Sequence, residues 1–181
     1  MTQDAEAPIE LVDYDPNWPA RFEEERQLLS DVLATWLAGP IEHVGSTAIT
    51  GLCAKPVIDI IAPVPTLDGS RPALDAAATL GYVYFPYQPT VMHWFCKPSP
   101  AVRTHHLHLV PLRSPLWLER LAFRDYLRQE PSVAEAYARL KADLACRYRY
   151  DREAYTEAKG PFVAQALAAA RARAPRHDPA V

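Results

Sequence analysis

Four polar residues near the middle of the chain have the types and spacing needed for chemistry on an anionic substrate. Ser46 follows Gly45 in a turn, and Asp59 lies thirteen residues further on in an apolar segment. A Gly-Ser turn lets backbone N–H groups and a hydroxyl approach a phosphate closely. His106 and His108 are two residues apart, so on a strand their side chains share one face. We expect these four side chains to line one cleft within about 10 Å of one another, because neighbouring strands lie about 4.8 Å apart.

Two lysines are candidates for neutralising such an anion. The chain contains only four Lys beside 15 Arg, and a chain that mostly uses Arg keeps Lys where a compact ammonium is wanted. Lys55 lies in the loop that leads to Asp59, and Lys159 follows Tyr155 by one helical turn. Each is either a ligand-binding group or an ordinary surface charge, and the sequence leaves both readings open.

A stripe of three arginines lies further along the chain. Arg120, Arg124 and Arg128 recur every four residues and so share one face of a predicted helix. One interpretation is a solvated face. The other is that Arg124 and Arg128 reach the cleft and bind an anion bidentately, with Asp125 orienting them. In that case the helix should lean across the open face of the sheet.

These candidates require a scaffold of strands and helices. Strands are predicted from apolar and β-branched runs at 9–13, 41–44, 57–64, 82–85, 92–97 and 104–110. Helices are predicted from apolar periodicity and capping residues at about 17–37, 72–80, 115–130, 132–150 and 151–173, with Gly160-Pro161 kinking or splitting the last one. The order predicts an α+β or mixed α/β fold in a single domain over 1–181, globular from about 9 to 173, with a flexible tail at 174–181.

Composition and charge argue against several classes of protein. No apolar run approaches the roughly 20 residues that span a bilayer, and residues 1–8 lack the apolar core of a secretory signal. Three scattered cysteines fit reduced thiols, so we expect a cytoplasmic protein without membrane partners. The net charge of −3 argues against nucleic acid as a partner. Residues 1–100 contain 5 basic and 13 acidic side chains, whereas residues 101–181 contain 14 basic and 9 acidic ones. Either the two halves attract each other within one fold, or basic groups of the second half close over an anionic ligand.

The turn and the aspartate belong to a longer signature. The segment 43–60 reads HVGSTAITGLCAKPVIDI, and it closely resembles the signature of the GrpB family. The similarity continues at 14–18 (YDPNW), 106–109 (HLHL) and 123–128 (FRDYLR), and in Tyr137, Lys141, Tyr155 and Lys159. It covers about residues 10–170.

This resemblance implies a nucleotidyltransferase-like fold, in which helices pack a mixed sheet and the C-terminal part is helical. It also implies a pocket for a nucleotide or another phosphorylated, anionic small molecule. Relatives of the family occur alone or fused to dephospho-CoA kinase. The residues that would contact the ligand are His43, Ser46, Thr47, Lys55, Arg124, Arg128 and Lys159, and those that would carry catalysis are Asp59, His106 and His108.

The same resemblance raises a difficulty with the metal. Nucleotidyl transfer generally uses two divalent cations held by carboxylates, and this superfamily supplies them as an Asp-x-Asp or Asp-x-Glu pair on the strand after the Gly-Ser turn. Here Ile61 occupies the second position, and residues 104–109 contain no acidic side chain. Three readings of His106 and His108 stay open: they bind a ligand without metal, they are structural, or they hold a metal with Asp59. The sequence therefore leaves the cofactor open, with a divalent metal, Mg²⁺ or Zn²⁺, as one candidate.

Three functions follow from these observations. The first is a nucleotidyltransferase-like transferase with an atypical metal site, favoured by the density of polar residues. The second is a catalytically degenerate module that binds the same ligand or assists a partner enzyme, favoured by the missing carboxylate. The third is an enzyme that joins small metabolites in the same pocket.

Overall fold

A five-stranded mixed sheet organises the protein. The computed structural model describes residues 8–173, so residues 1–7 and the predicted tail at 174–181 lie outside the described part. The strands are β1 (Glu42–Val44), β2 (Ile58–Val64), β3 (Val83–Phe85), β4 (His93–Pro98) and β5 (Arg103–Pro111). In space they follow the order β1-β2-β5-β4-β3. β2 and β5 are parallel, and the other neighbouring pairs are antiparallel.

Within residues 8–173, six α-helices pack around this sheet. They are α1 (Trp18–Leu33), α2 (Ala73–Ala78), α3 (Pro115–Gln129), α4 (Pro131–Arg147), α5 (Arg152–Ala158) and α6 (Gly160–Arg173). A proline lies in the first turn of α1, α3 and α4, where its missing N–H leaves no hydrogen bond unmade. No helix of this described part is long and apolar enough to cross a membrane. The mixed α/β fold expected from the sequence is confirmed.

The predicted strand at 9–13 is wrong. This segment makes one isolated bridge, between Val12 and Ala54, whereas the N–H of Ile9 donates to the carbonyl of Arg149 at 2.7 Å. Because its backbone hydrogen bonds go to two different parts of the chain, no strand ladder forms. The segment instead ties the start of the described chain to the loop before β2 and to the end of α4.

Two helix boundaries differ from the sequence prediction, and one break is confirmed. α1 ends at Leu33, four residues early, and a turn follows. α4 starts at Pro131, and the predicted capping box at Ser132 is not used, because a proline at the first helical position is already favourable. The helix expected over 151–173 is split, since α5 ends before Gly160 and α6 begins there.

The two faces of the sheet are covered by different helices. On the first face, Ile60 of β2 and Leu107 of β5 pack against α1 and α2 in the main core. On the second face, Ile61 of β2 packs against Trp117 of α3. Beside α3, the loop after β1 packs against α4 and α6 in a third cluster. The second face therefore meets the C-terminal helices, and the polar residues of β2 and β5 point toward them.

Candidate functional site

Asp59 and His106 form a hydrogen-bonded pair on the second face of the sheet. They lie opposite each other in the parallel β2–β5 register, and Nδ1 of His106 donates to Oδ1 of Asp59 at 2.9 Å. Alternation explains the placement, because Leu107 enters the core against α1 and α2, so its neighbours point the other way. The Asp59 side chain is 32% exposed, so the carboxylate reaches solvent. We use the word cleft for the region between this pair and helices α3 to α5.

Opposing effects set the protonation state of this pair. Burial alone would raise the pKa of Asp59, but the hydrogen bond from His106, with the charge of Arg120 adding to the effect, holds that pKa below its usual range. The carboxylate is therefore ionised at every pH near neutrality. Nε2 of His106 is buried and has no hydrogen-bond partner in the described residues, so the pair keeps one nitrogen unused.

His108 does not join the pair. Its Nδ1 lies 3.3 Å from Sδ of Met92, and its ring centre is 6.5 Å from that of His106. Burial, with Arg120 adding to the effect, lowers the pKa of His108 to about 3, so the imidazole is neutral. Within residues 8–173, no three His, Cys, Asp or Glu side chains are grouped so as to hold a metal ion.

The Gly-Ser turn lies directly against Asp59. Gly45 has a φ of 72°, and a Cβ at this position would lie 2.3 Å from Oδ2 of Asp59, so only glycine fits both the conformation and the space. The next residue, Ser46, opens a short 3₁₀ helix. The Ser46 hydroxyl accepts a hydrogen bond from the ammonium of Lys141 at 3.1 Å. The turn therefore connects the carboxylate on the sheet to a lysine on α4.

Two tyrosine–lysine pairs flank the cleft. On α4, Nζ of Lys141 lies 4.9 Å from the centre of the Tyr137 ring. At the end of α5, Nζ of Lys159 lies 4.3 Å from the centre of the Tyr155 ring. Lys55 approaches the same Tyr155 ring from the loop before β2, at 5.2 Å. All three are cation–π contacts. Three of the four lysines of the chain converge on these two rings.

Burial and mutual repulsion shift two of these lysines toward neutrality. Lys141 is 2% exposed, and burial lowers its pKa to about 8, with Lys55 adding to the effect. The Lys141 ammonium donates to Ser46 Oγ and to the carbonyl of Cys53, which are both uncharged acceptors. Burial also lowers the pKa of Lys159 to about 7, helped by the neighbouring cations and opposed by Asp59. Both lysines thus carry a charge that is incompletely compensated.

Arg120 is a site residue that sequence reasoning did not select. It is exposed on α3, and its charge acts on Asp59, His108, Tyr137 and Lys159. These four residues belong to β2, β5, α4 and the end of α5 respectively. Arg120 is therefore within electrostatic range of groups that four different elements contribute.

Of the predicted anion clamp, Arg124 is buried against the protein and Arg128 stays exposed with one hydrogen bond to it. Arg124 is 8% exposed, and its guanidinium donates to the carboxylates of Asp125 and Glu42 at 2.7 Å each. Arg128 donates to the carbonyl of Ala48 at 2.9 Å. These bonds fasten α3 to β1 and to the 3₁₀ helix. The structure therefore gives both arginines protein partners that hold the cleft in shape, while α3 covers the second face of the sheet as expected.

His43 and Thr47 are not brought into the cleft. The His43 ring stacks on Phe22 of α1 with ring centres 4.7 Å apart, on the face of the sheet opposite Asp59. Its Nε2 donates to the Thr47 hydroxyl at 3.0 Å, and that hydroxyl donates to the carbonyl of Val57 at 3.2 Å. Burial lowers the pKa of His43 to about 4, so the ring is neutral. Both side chains fix the turn to the start of β2.

The sequence contains one signal for the site residues that it was not used to predict. The pattern Tyr-x-x-x-Lys occurs at 137–141 and again at 155–159, and this spacing puts both side chains on one helix face. Together with the scarcity of lysine, it could have identified Tyr137, Lys141 and Tyr155. Arg120 gave no such signal, because the packing of α3 against the sheet decides which arginine of the stripe faces the cleft.

Three comparisons relate the chain to known proteins. The family described as GrpB protein matches residues 8–169. The chain is 43% identical to the UPF0157 protein PA4798 of Pseudomonas aeruginosa over 93% of this chain and 70% of that protein. It is 28% identical to the dephospho-CoA kinase of Mycobacterium tuberculosis over 88% of this chain but only 45% of that protein. The crystal structure of conserved protein GrpB from Enterococcus faecalis is similar with a TM-score of 0.80 and 31% identity, covering 89% of this chain and 96% of that one.

Proposed function

The chain belongs to the GrpB family, and from the chemistry of its cleft we propose that it binds a phosphate-bearing small molecule, a nucleotide or another phosphorylated metabolite. The observation that carries the proposal is the convergence of three lysines beside a single carboxylate. Lys55, Lys141 and Lys159 meet at two tyrosine rings, and Asp59 is the acidic group that acts on Lys159.

The buried ammonium of Lys141 supports this proposal because its described partners are neutral. Removing an ammonium from water costs several kcal/mol unless an opposite charge and hydrogen bonds compensate it. The nearby charges of Lys55 and Lys159 add repulsion to that cost. A bound phosphate would compensate these charges and would restore the lysines to their ordinary protonation.

The directions from which the donors come favour phosphate over a planar anion. Ser46 lies on the sheet side of the cleft, the two tyrosine–lysine pairs lie on α4 and α5, and Arg120 lies on α3. A phosphate presents oxygens tetrahedrally, so donors on different sides can each reach one oxygen. Lysine, as a compact point charge with three rotatable donors, suits this geometry.

Calorimetric titration with ATP, ADP, coenzyme A and inorganic pyrophosphate tests the proposal. We expect at least one of these compounds to bind at neutral pH. Lys159→Met should weaken that binding by roughly tenfold or more, because a hydrogen bond to a charged group contributes about 1.5–3 kcal/mol. Arg139→Met is the matched control, since it removes the same charge from an exposed pair with Glu135 on α4. Failure of all four compounds to bind, or equal weakening by both variants, would contradict the proposal.

Group transfer in the same cleft is a second candidate function. The Asp59–His106 pair favours it, because a carboxylate that orients an imidazole is a common arrangement for a general base. The reaction would transfer a nucleotidyl or related phosphoryl group, or would join two small metabolites. Phosphorus-31 NMR of the protein with ATP and candidate acceptors tests this function. Product that disappears in a His106→Gln variant with intact binding would support it, whereas binding without any product would favour the non-catalytic module.

A further inference from the structure

The nucleotidyltransferase-like fold implies divalent metal ions, and the donor set of the cleft does not fit them. Two-metal centres are held by several carboxylates, and β2 carries one, Asp59. The position two residues on, Ile61, is 1% exposed and packs in the cluster of Val44 and Trp117. His106 uses Nδ1 to bind Asp59 and keeps only Nε2 for a metal, and within residues 8–173 no three His, Cys, Asp or Glu side chains are grouped to hold one.

Positive side chains lie on the same side of the protein as this carboxylate. Gly45 lies against Asp59, and the next residue, Ser46, binds the ammonium of Lys141 at 3.1 Å. Lys55 and Lys159 meet on the Tyr155 ring, at 5.2 and 4.3 Å from its centre. Asp59 acts electrostatically on Lys159, and Arg120 acts on both of them. The site therefore combines four cationic side chains with one carboxylate. Such a field repels a free divalent cation and attracts a phosphate.

We infer that the cleft binds the phosphate groups of its ligand directly through Lys159, Arg120 and the neighbouring ammonium groups, without a divalent cation. The inference rests on the proposed function, because it concerns the same ligand. In an ordinary nucleotidyltransferase site, metal ions supply the positive charge that faces the phosphates. Here the side chains of α3, α4 and the end of α5 supply it, and entry of the phosphate relieves the repulsion among them.

The two modes of binding give Asp59 opposite roles. In a metal-dependent site, this carboxylate attracts the ligand through the cation that both of them coordinate. In a metal-free site, it repels the phosphate, because both groups are negative and no cation lies between them. Replacing Asp59 with the neutral, nearly isosteric Asn should therefore weaken binding in the first case and strengthen it in the second.

The first test compares pyrophosphate binding by calorimetry in EDTA and in excess Mg²⁺. We expect the dissociation constant in EDTA to be equal to or lower than that in Mg²⁺, because the metal neutralises charge on the ligand. Binding that requires Mg²⁺ would overturn this inference and leave the proposed function standing. Absence of binding in both buffers, with ATP, ADP and coenzyme A as well, would overturn both.

The second test uses Asp59→Asn in EDTA, with Asp68→Asn as the matched control. Asp68 lies on an exposed loop and pairs with Arg71, so its substitution removes the same charge far from the cleft. We expect Asp59→Asn to tighten pyrophosphate binding by about three- to tenfold, the size of one partly screened charge repulsion, and Asp68→Asn to leave it unchanged. Circular dichroism and thermal melting establish that both variants are folded. Unchanged or weaker binding by folded Asp59→Asn would overturn the inference.

Discussion

Gly45 is the residue at which the backbone and the carboxylate of the site come closest. Its φ of 72° and the 2.3 Å separation between an added Cβ and Oδ2 of Asp59 leave no room for a side chain. We expect Gly45→Ala to lower the free energy of unfolding by about 1–2 kcal/mol for the left-handed backbone. Overpacking against Asp59 should remove about 1–3 kcal/mol more. Urea denaturation measures the total.

Gly51→Ala separates these two contributions. Gly51 has a φ of 79°, and an added Cβ there meets no atom within 4 Å, so this variant should show the backbone cost alone. The double variant Gly45→Ala/Asp59→Ala should recover part of the overpacking, because the carboxylate is gone while the Cβ of residue 59 still lies 2.9 Å from the added one. Equal losses in the two single alanine variants would mean that Asp59 does not lie against the turn.

The Lys159 side chain should lower the melting temperature of the ligand-free protein while it raises the affinity for the proposed ligand. Its charge is buried among other cations, so we expect Lys159→Met to raise the melting temperature of the ligand-free protein at pH 7. Lys97→Met should have the opposite effect, because the Lys97 ammonium pairs at 2.9 Å with Glu25, which is 6% exposed. Leaving that carboxylate unpaired costs about 3–5 kcal/mol. A lower melting temperature for Lys159→Met would show that this lysine has a stabilising partner.

At the scale of elements, α3 carries two arginines one turn apart, of which Arg124 stabilises the fold and Arg120 is proposed to bind the ligand. Arg124 binds Glu42 and Asp125, so Arg124→Met should lower the free energy of unfolding by about 1–3 kcal/mol, a value reduced by the partial exposure of both carboxylates. Arg120→Met should change stability little and weaken pyrophosphate binding about tenfold. Urea denaturation and calorimetry on both variants measure the difference. Weaker binding with unchanged stability in Arg124→Met would restore it as a ligand contact.

The elements that carry the site were predictable where local pattern and tertiary packing agree. β2 is apolar along almost its whole length because both of its faces are covered. Alternation along β2 and β5 places Asp59 and His106 on one face. The strand expected at 9–13 has a similar apolar pattern, but the fold offers it no neighbouring strand. The position of His43 differs from the expected one for another reason. Alternation on β1 turns its side chain toward Phe22, and the sequence does not reveal which face of so short a strand meets α1.

At the scale of the whole molecule, protonation should act on stability and on binding with opposite signs. Burial lowers the pKa of Lys159 to about 7 and that of Lys141 to about 8, from about 10.4 in an unfolded chain. Between these values the unfolded chain holds more protons, so the free energy of unfolding of the ligand-free protein should rise with pH. Urea denaturation from pH 7 to 9 measures this increase.

Pyrophosphate binding should weaken over the same interval, because the ligand requires charged ammonium groups. The ratio of wild-type to Lys159→Met affinity should fall toward one between pH 6 and 9, a window set by the pKa of about 7 for Lys159. Taking the ratio cancels the ionisation of the ligand itself. A ratio independent of pH would mean that the ammonium of Lys159 does not titrate in contact with the ligand.

The long sequence separations across the cleft set the order in which it can be assembled during synthesis. Asp59 and His106 are 47 residues apart, and Ser46 and Lys141 are 95 apart. A nascent chain that has just completed β5 holds the carboxylate and the imidazole, but Lys141 and Lys159 have not yet been translated. Such an intermediate has a strongly acidic sequence and would repel phosphate. The proposed phosphate-bearing ligand would therefore stabilise the finished fold by mass action, but it would not act as a template for the earlier steps.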